Sequence, residues 1–322
     1  MTHATARAHP NIALVKYWGK RDAAVNLPAT GSLSMTLDIF PTTTTVTVDP
    51  ALDRDVLVLG GAAQDGVPRE RVERFLDIVR AATGSGHHAR VETENTVPSA
   101  AGLASSASGF AALAGAAASA YGWTLDLPGL SRLARRGSGS ASRSVIPGFA
   151  VWHAGHDDAS SFAEAVSAPD LAMVVAMVDR REKPVSSREA MRRSVLTSPF
   201  YPAWITSTAQ SLESALSACA DGDVDRLGRI TETNALRMHA VIQACDPPLR
   251  YLTPTSVAIF DRVAQLRDEG IAAFATADAG PNVVVLCRPD DSAAVDAAIS
   301  GLAETVTARP GPGLQVLEGA AR

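Results

Sequence analysis

Residues 104–120 limit the fold more than any other stretch of this chain. The run is built from Ala, Ser and Gly with only Phe110 and Leu113 as larger apolar residues, and it carries no charge and no proline. Alanine is the strongest helix former, so the composition predicts a small-residue helix over about 103–121. Ser105, Ser106, Ser108, Gly109 and Ser119 interrupt its apolar character, and it falls short of the ~20 apolar residues a membrane span needs. It reads as a tightly packed helix of a folded domain, and no membrane is expected as a partner.

The 322 residues contain 46% hydrophobic and 20% charged side chains. At roughly 150 residues per domain, that length predicts two domains or one large one, and the apolar content excludes a wholly disordered chain. Lys plus Arg number 29 against 34 Asp plus Glu, a net charge of -5. A nucleic-acid binder would normally be basic, so no nucleic acid is expected. Any anionic ligand must be held by a local cluster of cations. Cys219, Cys245 and Cys287 are far apart and form no CxxC or zinc spacing, so they read as buried free thiols of a reducing compartment. Residues 1–8 lack the apolar core of a signal peptide, which makes the cytoplasm the expected location.

Residues 6–16 predict a short strand. The alternating, β-branched segments 32–40 and 43–48 predict a strand pair with Pro41 at the turn. A third strand over 55–59 closes at Gly60-Gly61. A helix over 70–82 and a strand over 88–94 precede the small-residue helix. A helix over 127–135 ends at Gly137, and strands follow at 145–153 and 171–178. Beyond Ser187 the character turns helical, with helices over 189–196, 203–220, 223–244 and 255–269. Strands at 272–276 and 283–287 flank a loop, and a helix over 292–302 follows. The shift in character predicts two lobes, 1–185 and 186–322. Without a regular βαβ rhythm the class expected is α+β.

Five clusters carry possible chemistry. In the first, residues 95–109, small residues run straight into a helix. Unpaired first-turn amides and the helix dipole suit an anion there, and serine hydroxyls can donate to phosphate or ligate magnesium. No Gly-Lys-Ser/Thr follows, so it is not a Walker A loop. A capped, densely packed helix fits the same residues. The second joins Arg132, Arg135 and Arg136 to residues 137–144. In an extended loop Ser138 and Ser140 point the same way, and Arg143 offers a planar fork for phosphate or carboxylate; a solvated loop also fits. The third, Lys16-Tyr17-Trp18-Gly19-Lys20-Arg21-Asp22, crowds three cations and two aromatics, or is a surface turn with snorkelling lysines. The fourth, Pro184-Val185-Ser186-Ser187-Arg188, pairs hydroxyls with a guanidinium or is a plain N-cap. The fifth is Asp278 in a turn-forming stretch, 277–282. Beside the cations its carboxylate would stay ionised and could orient or deprotonate a hydroxyl. His87-His88 and the pair His153 and His156 read as loop residues, Met173 and Met177 as core, and Trp123, Trp152 and Trp204 as packing residues.

Blocks 11–22, 102–110, 137–144, 184–188 and 278–282 occur in an order that resembles the diphosphomevalonate decarboxylase family of the GHMP kinase superfamily. The resemblance spans nearly the whole chain. It implies the GHMP kinase fold, with an N-terminal lobe like ribosomal protein S5 domain 2 and a ferredoxin-like C-terminal lobe. It implies ATP and Mg2+ as cofactors, and a small-molecule substrate, mevalonate 5-diphosphate. Phosphorylation of the 3-hydroxyl, loss of phosphate and loss of CO2 would yield isopentenyl diphosphate in the mevalonate pathway. Asp278 and Lys16 would then be catalytic. Tyr17, Lys20, Ser138, Ser140, Arg143 and Arg188 would bind substrate. Ser99, Ala101, Gly102, Leu103, Ala104, Ser105 and Ser106 would hold the nucleotide, with Ser105 and Ser106 near the metal. Family members are commonly homodimers. Pro147, Ala190 and Ala277 depart from residues usual in the family. A mevalonate 5-phosphate decarboxylase, a small-molecule kinase that does not decarboxylate, and a catalytically inactive phosphate sensor are the alternatives.

Overall fold

A computed structural model describes residues 1–96, 105–179, 181 and 185–318. Among the described residues three large sheets and the helices between them form alternating layers, and Lys20–Asp22 pairs with Leu27–Pro28 in a separate two-stranded ribbon. The first sheet has six strands, in the order Gln315–Glu318, Thr2–Ala8, Thr42–Val48, Ala89–Asn95, Val56–Leu59, Ala62–Gln64. Its pairings are antiparallel except the parallel contact between Val56–Leu59 and Ala89–Asn95. The second is antiparallel, in the order Ala163–Ala165, Phe149–Trp152, Ser32–Thr36, Asn11–Val15. The third, also antiparallel, runs Ala273–Thr276, Val283–Cys287, Ala172–Met177, Glu304–Ala308.

The small-residue helix, Ser105–Ala120, packs on the first sheet and against helices Leu127–Gly137 and Ala141–Ser144, in a core cluster that runs from Ala6, Ala8 and Val46 to Ala150 and Trp152 of the second sheet. Its composition follows from that place. A side chain at Gly115 would put its first carbon 2.8 Å from a Leu314 methyl and 3.2 Å from the Ala6 methyl, closer than carbon atoms pack. Helices Val67–Thr83 and Leu127–Gly137 complete this layer, the latter capped by Asp126, whose carboxylate accepts from the Gly129 amide at 2.8 Å. Helices Tyr201–Ala220 and Val224–Gln243 fill the space between the second and third sheets, with Leu14, Leu33 and Met35 meeting Met173, Val175 and Phe274. Helices Pro254–Asp268 and Ser292–Ile299 cover the far face of the third sheet.

The α+β expectation holds, and most helices fall within a few residues of their expected places. Two local expectations change. Residues 6–16 are two strands in different sheets, Thr2–Ala8 and Asn11–Val15. Pro10, which has no N–H to give a ladder, separates them. Ser32–Thr36 and Thr42–Val48 do not pair with one another either. Phe40, at φ 56°, turns the chain from one layer into the next. Strand Ala172–Met177 pairs only within the third sheet, and Gln315–Glu318 returns to pair with Thr2–Ala8. Among the described residues no helix is long and apolar enough to cross a membrane. Cys219, Cys245 and Cys287 are buried free thiols.

Candidate active site

Two residues 262 positions apart meet where the second and third sheets approach. Strand Asn11–Val15 ends at Lys16, whose backbone N–H donates to Asn234 Oδ1 at 2.8 Å. The Lys16 ammonium donates to the Ala13 carbonyl at 2.8 Å and to Asp278 Oδ1 at 2.7 Å. Its side chain is 1% exposed, whereas that of Asp278 is 42% exposed. Burial pulls the Lys16 pKa below the ordinary lysine value, and the Asp278 charge opposes that pull. Asp278 sits in the tight connection between strands Ala273–Thr276 and Val283–Cys287. That connection is tied down on each side. Ser256 Oγ donates to the Pro281 carbonyl, and Asn282 Oδ1 accepts from the Val178 and Asp179 amides at 2.8 and 3.1 Å.

The pair opens onto a cleft of about 380 Å³. Lys16, Lys20, Arg71, Arg143 and Arg188 line it, and Asp278 is the one carboxylate among the described lining residues. A chain of net charge -5 therefore presents a strongly cationic cleft, the arrangement that concentrates an anionic ligand. The buried guanidinium of Arg143, on the one-turn helix Ala141–Ser144, donates from Nε to Asn11 Oδ1 at 3.1 Å and from Nη1 to Ser32 Oγ at 2.8 Å. It lies 5.8 Å from the Trp152 ring centroid. Burial lowers its pKa to about 10, still charged near neutrality. The Lys20 ammonium bonds to Asn26 Oδ1 at 2.5 Å, and burial with Arg188 and Arg71 nearby lowers its pKa to about 8. Tyr17 packs edge-on against Trp152 with ring centroids 4.8 Å apart, and burial pushes its pKa up. Gly139 passes so close that an added side-chain carbon would lie 2.7 Å from the Tyr17 hydroxyl.

Ser106 and Ser138 join the cleft to the N-terminal end of the small-residue helix, their hydroxyls 3.3 Å apart. A second groove of about 340 Å³ adjoins there. Leu57, Leu59, Val72, Phe110 and Leu113 form its apolar walls, and Arg71 and Ser106 belong to both spaces. The pair of spaces suits a ligand with a flat apolar ring at one end and phosphates at the other.

The structure brings Lys16, Tyr17, Lys20, Ser106, Ser138, Ser140, Arg143, Arg188 and Asp278 to one cleft. Ser138 and Ser140 reach it differently from the expected extended loop. Ser138 is extended, but Ser140 is helical at φ -65° and ψ -19°. Arg132, Arg135 and Arg136 are turned elsewhere, all three paired with Asp158 at 2.9, 2.7 and 3.2 Å. Ser186 lines the cleft and also caps helix Ser187–Thr197, accepting from the Glu189 amide. Ser99, Ala101, Gly102, Leu103, Ala104 and Pro184 lie outside the described residues, as does the side chain of Ser105. Arg71, Asn11 and Asn234 were not singled out from the sequence. Arg71 sits on a helix whose Val72, Phe75, Leu76 and Val79 give it a core stripe, and a polar position beside such a stripe carries no local mark of function.

Residues 8–163 match the diphosphomevalonate decarboxylase-like N-terminal domain, and residues 173–309 match the mevalonate 5-diphosphate decarboxylase C-terminal domain. The chain belongs to the diphosphomevalonate decarboxylase family. Its fold is the GHMP kinase fold. The two family domains meet between residues 163 and 173, ahead of strand Ala172–Met177, where sheet pairing also divides the chain. A diphosphomevalonate decarboxylase of Ganoderma lucidum is 36% identical over 309 residues, covering 88% of this chain and 77% of the relative. A phosphomevalonate decarboxylase of Haloferax volcanii is 34% identical, covering 88% and 87%. Among solved structures, MDDEF in complex with MVAPP, AMPPCP and magnesium superposes with a TM-score of 0.94 at 45% identity, covering 98% of this chain and 99% of that one.

Proposed function

We propose that this member of the family catalyses the ATP- and Mg2+-dependent decarboxylation of mevalonate 5-diphosphate to isopentenyl diphosphate, ADP, phosphate and CO2. The observation that carries the reading is the Lys16–Asp278 ion pair at 2.7 Å within a cleft whose other charged residues, among those described, are all cations. A bare tertiary hydroxide is a poor leaving group, and its phosphate ester is a good one. The reaction therefore needs an anionic group to receive or orient the hydroxyl proton and cations to hold several negative charges.

Asp278 accepts the hydrogen bond of the 3-hydroxyl and takes its proton as the oxygen bonds to the γ-phosphorus. Lys16 stabilises the charge on that oxygen. Arg143 holds the substrate carboxylate; among the described residues its Nη2 makes no hydrogen bond, while Nε and Nη1 are fixed by Asn11 and Ser32. Tyr17, Lys20, Ser138, Ser140 and Arg188 hold the diphosphate. When the C3–O bond breaks, the electron-poor C3 draws the electrons of the C1–C2 bond into a C2–C3 double bond, and CO2 departs. The apolar groove beside Ser106 takes the adenine ring, with Arg71 at the phosphates. The Ser106 hydroxyl at the cleft fits a magnesium ion held mainly by phosphate oxygens, and the family resemblance adds Ser105. Bound magnesium would offset phosphate charge during transfer. By its family resemblance the enzyme is also expected to be a cytoplasmic homodimer, which sedimentation velocity tests.

Purified protein with ATP, magnesium and mevalonate 5-diphosphate should release ADP and CO2 in equal amounts. ADP without CO2 would instead make it a kinase, and no ADP from any of mevalonate, its 5-phosphate or its 5-diphosphate would overturn the reading. Faster turnover of the 5-phosphate than the 5-diphosphate would move the substrate assignment toward the chemistry named for the Haloferax volcanii relative.

A further inference from the structure

We propose that helix Val224–Gln243 is a template that sets the Lys16–Asp278 separation, and that His239 is the positioning residue on its Asp278 side. Three side chains of this one helix bond to the two segments that carry the pair. Glu232 accepts from the Ala275 amide at 2.7 Å, in the strand leading to Asp278. His239 Nε2 lies 3.3 Å from the carbonyl of Ala277, the residue before Asp278. Asn234 takes the backbone N–H of Lys16 itself.

Helical spacing explains the division. At 3.6 residues per turn, positions 232 and 239 differ by two turns and share a face to within about 20°. Gly228 lies one turn earlier on the same face, where a side chain would strike the Phe274 ring. That face therefore presses against the strand Ala273–Thr276. Position 234 is rotated about 160° from 232, toward strand Asn11–Val15 on the other side. A single rigid element thus holds both arms, and the gap between ammonium and carboxylate is fixed by the width of a helix rather than by two independent loops.

The chemistry of His239 fits this role. A carbonyl only accepts, so Nε2 must carry the proton and donate. The ring is buried, and Nδ1 is without a hydrogen-bond partner among the described residues. Burial and the Lys16 charge lower its pKa to about 4, so the ring is uncharged near neutrality and adds no second positive charge beside Lys16. Trp18, Met238, Ile242 and Ala279 belong to one apolar core cluster in this region. A leucine would satisfy packing alone, so the imidazole is present for its hydrogen bond. His239 touches no reacting atom and acts through the backbone of Ala277.

The inference rests on the decarboxylase reading, and two measurements keep the two separable. The first is steady-state kinetics of His239→Leu and His239→Gln, the latter supplying an amide N–H at about the place of Nε2. His239→Leu should lower kcat by on the order of 10²-fold, as expected for a slight misplacement of a catalytic group, with KM for both substrates changed less than threefold. His239→Gln should recover most of kcat. The second needs no turnover: a double-mutant cycle of Lys16→Met and Asp278→Asn on the urea midpoint, run with His239 intact and with His239→Leu. Coupling between the pair should shrink at least by half in the leucine background. Coupling and kcat both unchanged by His239→Leu would overturn the proposal, as would an equal loss in KM and kcat that glutamine fails to recover. An inactive wild type whose coupling still depends on His239 would reject the reaction and keep the template.

Discussion

The two members of the central ion pair should differ in what their removal does to stability, because they differ in exposure. In Asp278→Asn the Lys16 ammonium, 1% exposed, loses its counter-charge and is left with neutral oxygen partners such as the Ala13 carbonyl. Breaking a buried pair from one side costs ~3–5 kcal/mol. Solvent already screens the 42% exposed Asp278, which puts the loss at the low end, about 3 kcal/mol. An upper bound comes from lysine's own escape route, which is to lose its proton. From an ordinary value of 10.5, neutralising it at pH 7.5 costs about 4 kcal/mol, at 1.36 kcal/mol per pH unit. Lys16→Met leaves a carboxylate that reaches water, and should cost about 1 kcal/mol or less. At about 2 °C per kcal/mol for a chain of this size, thermal midpoints at pH 7.5 should fall by about 6 °C and about 2 °C respectively. The pH dependence has a definite sign. A buried lysine with a lowered pKa binds fewer protons than its unfolded counterpart, so stability rises as pH climbs toward 10.5. Removing Asp278 takes away the charge that holds this pKa up, so the rise should begin at lower pH in Asp278→Asn. Its deficit relative to wild type should shrink when urea melts are repeated at pH 9.5. Equal or greater destabilisation by Lys16→Met, or an Asp278→Asn deficit that ignores pH, would refute the assignment of the buried charge as the strained partner.

Two further outcomes follow from the cleft. The Lys20 pKa is lowered to about 8, so its charge fades as pH rises past that value; kcat/KM for the anionic substrate should fall above pH 8 in wild type and stay flat to about pH 9 in Lys20→Arg, as read from pH-rate profiles. Arg71 touches both the cleft and the apolar groove and stacks 4.4 Å from the Phe110 ring centroid. Arg71→Ala should raise KM for ATP roughly tenfold, in line with loss of a charge-assisted contact worth about 1.5 kcal/mol, while melting within 2 °C of wild type.

What could be read from the chain and what could not divide along physical lines. Asp278, Arg143 and the serines at 138 and 140 were legible because they sit in short runs whose glycines and turn formers mark a backbone built for close approach. Helices such as Val224–Gln243 were legible from their apolar period. Long-range pairing was not. Nothing local tells that Thr42–Val48 joins Thr2–Ala8 rather than Ser32–Thr36, since all three are short stretches that place small or β-branched residues on a buried face. The three arginines at 132, 135 and 136 looked like an anion site because Asp158, which takes all of them, lies more than twenty residues downstream. Asn234 and His239 went unmarked for the opposite reason. Each acts on backbone atoms of a distant strand, and a buried polar residue on a helix shows its partner only once the chain is folded.

The return of Gln315–Glu318 to the strand Thr2–Ala8 has a consequence for anyone wishing to take the lobes apart. Residues 8–163 correspond to one family domain, yet even a fragment of residues 1–163 would present the outer side of Thr2–Ala8 as a bare row of amides and carbonyls, ready to recruit a strand from any neighbouring chain. The half that carries this sheet is thus finished by residues synthesised some three hundred positions later, and a nascent chain must shield that open margin until they emerge.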